Sequence, residues 1–166
     1  MTAITVSNTD WSIVDDVRDA LAAASIAGSP VFEAVSVTAG DEAVKDTRLH
    51  GSSAAVVRYL ATREHACPED IRGACVSLEI VIAAAVDSPA LDESARLSEI
   101  LRLKNAAINA VEAEPPSAAR SWGSSSSWQD RIRWQSPRID TSAGQPWALC
   151  RLGVEIGFVI DSGTDH

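Results

Sequence analysis

His65, Cys67 and Cys75 come nearest in this chain to a metal-binding set, and the HGSS run from His50 to Ser53 comes nearest to a hydrolytic nucleophile. Structural zinc takes four ligands at short paired spacings; the spacing here matches no standard pattern and a fourth ligand is missing. A serine nucleophile needs a strained elbow such as Gly-x-Ser-x-Gly and a placed acid partner, and neither accompanies HGSS. Asp15 with Asp16, and Asp41 with Glu42, could be set as a glycosidase pair, but they read more simply as solvated helix or loop positions. The glycines are scattered as turn and strand-end residues, so no phosphate-cradling loop is expected. Catalytic residues, cofactors and metal ligands are therefore all expected to be none, and nothing in the sequence requires an enzyme.

A different chemistry is concentrated in WQDRIRWQSPRID, residues 128–140. Trp122, Trp128, Trp134 and Trp147 are four of the chain's 5 tryptophans, and they fall in and beside a Ser-rich run. Tryptophan with arginine is the pairing favoured at protein interfaces. Trp134 and Trp147 read as covers for the edge of a core. Trp122, Trp128, Arg131 and Arg133 are the interface candidates, because the stretch around them has too little apolar content to fold alone.

Composition narrows the partners. At 166 residues and 46% apolar content, one domain of 1–166 can bury a sizeable core. A formal net charge of -9 argues against a nucleic-acid binder held by counterion release, and for protein partners. Cys67, Cys75 and Cys150 are an odd number; Cys75 and Cys150 sit in apolar strand patterns, so free thiols in a reducing cytosol are expected. The opening MTAITVSNTDW lacks the features of a targeting segment, and the apolar window at 80–86 is too short to span a bilayer, which takes roughly 20 residues.

The elements that would position these residues follow from periodicity. Val14, Val17, Leu21 and Ala24 lie at helical spacing, with Thr9, Asp10 or Ser12 available as caps and Gly28 and Pro30 as stops. VFEAVSV at 31–37 and AAVVRYL at 54–60 read as strands, separated by a polar loop with room for a helical turn at 41–45. At 75–86, Val76, Leu78, Ile80, Ile82, Ala84 and Val86 face one way and Cys75, Ser77 and Glu79 the other. A long helix follows, with Leu97, Ile100, Leu101, Ala107, Ile108 and Val111 on one stripe, stopped by Pro115 and Pro116. Residues 114–129 read as a Ser/Gly-rich insertion loop and DRIRWQS as a short strand. At 146–160, Ala148, Cys150, Leu152, Val154, Ile156, Phe158 and Ile160 share a face opposite Arg151 and Glu155. The fold class expected is α+β, a mixed, mostly antiparallel sheet flanked by two main helices.

With these elements in place, the chain resembles the tail-terminator and tail-completion proteins of long-tailed phages and phage-like gene transfer particles. The resemblance rests on the opening helix, on VVRYLATRE, and above all on WQDRIRWQSPRID followed by QPWALCRLGVEIGFVI, and it spans nearly the full length. It implies a homo-oligomeric ring, usually a hexamer, that sits on the last ring of tail-tube protein, ends tail growth and presents a docking face to the head connector, or stopper, protein. DNA would pass through the lumen only as cargo. The location implied is the virion tail, assembled in the host cytoplasm, with no membrane partner. The 114–129 insertion departs from a short terminator. Another head-tail connector, a minor tail protein, a small interaction module, or a small-molecule enzyme with a pocket of convergent titratable groups are the alternatives.

Overall fold

The computed structural model describes residues 9–40, 53–66, 72–85, 92–113, 132–141 and 147–160. The first helix, α1 (Thr9–Ala23), forms as its spacing predicts: Ile13, Val14, Val17, Ala20 and Leu21 are buried on one side, and Asp15, Asp16 and Asp19 lie on the others. A two-residue turn at Ala27 and Gly28, both with positive φ, then joins two short strands, β1 (Ser25–Ile26) and β2 (Ser29–Pro30). Positive φ at both central residues is the hairpin geometry that matches strand twist, and Gly28 adopts it without a Cβ clash. The Val31 amide donates to the Ala24 carbonyl at 2.9 Å and ties this hairpin back to the helix end.

The main sheet runs in the order β3 (Ala34–Thr38), β4 (Ser53–Ala66), β5 (Arg72–Ala85), β8 (Trp147–Ile160) and β6 (Ile132–Trp134), with β7 (Arg138–Asp140) also paired to β8. Among the described strands only β3 and β4 pair in parallel, and the other pairs are antiparallel. The second helix, α2 (Glu93–Ala113), starts at an Asp92 cap whose Oδ1 accepts the Ala95 amide at 2.8 Å. Both helices lie on one sheet face, α1 over β3 and β4 and α2 over β5 and β8. The chain is thus α+β, with a mixed, mostly antiparallel sheet flanked by two helices.

The core is the helix-facing side of the long strands. Leu78, Ile80 and Ile82 of β5 and Leu152, Val154, Ile156 and Phe158 of β8 are all buried against Ile13, Val17 and Leu21 of α1 and Ile100, Leu103 and Ala107 of α2. Period-2 alternation along two paired strands makes this apolar row continuous, because the register sets Leu78 against Val154 and Ile80 against Leu152.

Three expectations are corrected. The first strand begins at Ala34 rather than 31, because Val31 and Phe32 are buried before the ladder starts. The second runs on to Ala66, past a register shift at Leu60 that the propensity pattern does not reveal. The buried stripe of α2 is Arg96, Ile100, Leu103, Ala107 and Val111, whereas Leu97 is 39% exposed and Leu101 and Ile108 are only half-buried. Where several apolar faces compete, packing against β5 and β8 chooses the phase of the helix.

Candidate assembly surface

Residues 132–140, the described part of WQDRIRWQSPRID, form β6 and β7 at the outer edge of the sheet. Ile132 and Trp134 face the helices and pack against the core, so the intervening Arg133 points to the opposite face, where it is exposed and stands across from Glu155. Trp134 is anchored from the other side: its indole Nε1 donates to Glu112 Oε1 of α2 at 2.9 Å. The reading of Trp134 as a core-edge cover therefore holds, and Arg133 is an exposed edge residue. Trp122, Trp128 and Arg131, with the 114–129 insertion and the helical turn at 41–45, lie outside the described residues.

The sheet face away from the helices carries charge in its middle. Arg58 Nη1 of β4 and Arg151 Nη1 of β8 both donate to Glu79 Oε2 of β5, at 3.3 and 3.2 Å. The register dictates this meeting, since Arg58 pairs with Glu79 on one side and Val81 with Arg151 on the other. All three side chains are partly screened, at 21%, 18% and 38% exposure for Arg58, Glu79 and Arg151. Beside them, Val56 and Val81 form a small second apolar cluster on this face. Gly153 stands at the next position: the exposed Gln135 side chain lies over it, where a Cβ would come within 2.6 Å of its oxygen and push it aside, and the Gln135 backbone amide donates to the Gly153 carbonyl at 2.9 Å.

Near the far end of the same face, Cys75 lies within electrostatic reach of Glu155, Arg133 and Arg63, and burial is the main cause that pushes its thiol above the ordinary value. Cys150 lies on the helix-facing side, and burial pushes its thiol up to about 11. The two are free thiols on opposite faces of the sheet, and burial disfavours the thiolate of each.

Trp11 is the residue that sequence reading passes over. It is 50% exposed and lines a groove of about 490 Å³ with Asp10, Val14, Val37, Thr38 and Tyr59, between α1 and β3. Asp10 Oδ2 there accepts from Thr62 Oγ1 at 2.6 Å, and Thr62 Oγ1 also bonds the Tyr59 hydroxyl at 2.9 Å. A second groove, about 460 Å³, runs between α1 and α2 and is lined largely by alanines, with Arg102 as its titratable member. Among the described residues no three His, Cys, Asp or Glu side chains gather as a metal ion would require, and no helix is long and apolar enough to cross a membrane.

No family model and no curated protein matches this chain.

Proposed function

We propose that the chain is a structural component of a phage-type tail: a ring that caps the tail tube, ends tail growth and joins the tail to the head connector. The observation that carries this reading is the position of the WQDRIRWQSPRID segment. Its described portion forms the outermost strands on one side of the sheet, with Arg133 and Arg138 exposed where a neighbouring subunit can reach them. The same segment carries the resemblance to the tail-terminator family, so sequence likeness and surface position coincide. A ring contact of this kind is heterologous, using two different patches per subunit, and closes only at the right rotation. The two ends of this sheet are different: β3 under α1 at one, the arginine-bearing β6 and β7 at the other.

The test is assembly itself. Light scattering and electron microscopy of the purified chain should show a closed ring of uniform size, and its addition to polymerising tail-tube subunits of the same particle should stop growth at a defined length. Replacing Arg131 and Arg133 by Glu together with Trp128 by Ala should leave a cooperatively folding protein that neither closes rings nor ends tubes. A wild-type chain that stays monomeric and leaves tube length unchanged would rule the reading out.

A further inference from the structure

We infer that the groove between α1 and β3 takes a lysine side chain from an extended segment of another protein, which adds to the outer edge of β3. The inference stands apart from the ring reading, and either can fail without the other. It starts from a local irregularity in β4. Side chains two apart on a strand share a face, so Tyr59 and Thr62, three apart, would ordinarily point to opposite faces. The register shift between Tyr59 and Ala61 absorbs Leu60 and returns Thr62 to the helix side: Tyr59 stands opposite Leu78 and Thr62 opposite Val76, and both partners belong to the core. Leu60 itself is left 48% exposed.

That shift builds a hydrogen-bonded relay at the groove. Thr62 Oγ1 donates to Asp10 Oδ2 at 2.6 Å and lies 2.9 Å from the Tyr59 hydroxyl. A threonine hydroxyl has a single proton, which here goes to the carboxylate, so the Tyr59 hydroxyl is the donor of the second bond. One extra residue in β4 thus fixes the Asp10 carboxylate and the Tyr59 ring together. Trp11 stands beside them, half exposed, and Val14 and Val37 supply apolar lining. A carboxylate, two aromatic rings and an apolar floor are the groups that hold an ammonium on an aliphatic stem, through charge, the ring faces and burial of the stem. Oδ2 is already engaged by Thr62, which suits a compact ammonium better than a guanidinium fork that needs both oxygens. The net charge of -9 favours the approach of a cationic partner.

The neighbouring backbone decides how that lysine is presented. Val37 and Thr38 of β3 line the groove, and among the described residues no strand pairs with the outer edge of β3, whose sequence AVSVT carries no charge or proline to block an added strand. A segment laid along this edge directs alternate side chains to the helix side, over the groove, with main-chain bonds giving affinity and the groove giving specificity. Arg133 and Arg138, at this chain's own opposite edge, lie on the sheet face away from the helices, so the segment is assigned to a different protein rather than to a second copy.

Titration of the full chain with short blocked peptides tests this. The peptides alternate Thr and Val around a central Lys or a central Glu, and butylammonium stands for the free lysine head group. The Lys peptide should bind at least about tenfold more tightly than the Glu peptide, should protect β3 amides from hydrogen exchange, and should weaken as salt rises. Asp10→Asn and Trp11→Ala should each lower its affinity about tenfold, and Thr62→Val, which keeps the side-chain shape and removes the relay, should lower it by less. Circular dichroism melts check folding; Trp11 is exposed, so Trp11→Ala serves alone if a relay variant does not fold. Equal binding of the two peptides, no binding of either, or an affinity unmoved by Trp11→Ala overturns the inference. Butylammonium that binds as tightly as the Lys peptide, with β3 unprotected, makes this a small-molecule site and overturns the edge-docked segment. A Lys peptide that disperses self-assembled wild type gives the groove to a second copy and overturns the assignment to a different protein.

Discussion

The indole of Trp134 donates to the carboxylate of Glu112 at 2.9 Å, linking the edge strand β6 to the last turn of α2. A hydrogen bond to a charged acceptor that is partly shielded from water is stronger than a neutral exposed one, so this contact sets how firmly the outer edge is held. Trp134→Phe keeps the apolar body and removes the donor, and should cost about 1 kcal/mol in urea unfolding. Hydrogen exchange should rise selectively in β6, and an unchanged β6 amide pattern would show that the edge is held by its ladder alone.

Glu79 accepts ion pairs from both Arg58 and Arg151. Glu79→Ala removes the carboxylate that both guanidinium groups share in this partly screened setting. The loss expected is about 1–3 kcal/mol, below that of a fully buried pair because the side chains keep some contact with water. Denaturant melts in low and high salt would measure it, and the deficit should shrink as salt screens the arginines.

Truncation in the apolar row should cost more. Ile80 and Ile156 are both 0% exposed, and Ile80→Ala or Ile156→Ala should each lower stability by about 2–5 kcal/mol through lost burial and the cavity left behind. Leu97→Ala, on the exposed side of α2, should lose well under about 1 kcal/mol despite the similar residue type. Urea midpoints at constant m-value would check the contrast.

The buried thiol of Cys150, raised from an ordinary 9.0 to about 11, predicts a pH dependence on the alkaline side. The folded chain holds this proton to higher pH than the unfolded chain does. The stabilisation is therefore fully present below pH 9 and is lost as pH rises toward 11, by an amount on the order of 2 kcal/mol. Cys150→Ala should flatten that part of the stability profile. Alkylation of native protein near neutral pH should modify the half-buried Cys75 before Cys150, a ranking that peptide mass mapping would read directly.

The long-strand alternation was legible from the residues alone. Leu78, Ile80, Ile82 and the even-numbered row from Leu152 to Phe158 are buried as their period-2 pattern requires, since successive side chains of a strand must point to opposite faces. The α1 stripe was an equally local matter, decided by helical spacing. What tertiary structure alone decided is where faces and distant positions meet. Arg96 and Leu103 turn inward while Leu97 turns out because α2 takes its phase from the strands beneath it. Arg58, Glu79 and Arg151 converge from far-separated positions because strand register, a property of pairs of strands, sets them side by side. Trp11 carries no local mark of exposure, and Arg133 and Arg138 become edge residues only once β6 and β7 settle on the outside of β8, since being at an edge depends on which strands pair and is written in no single segment.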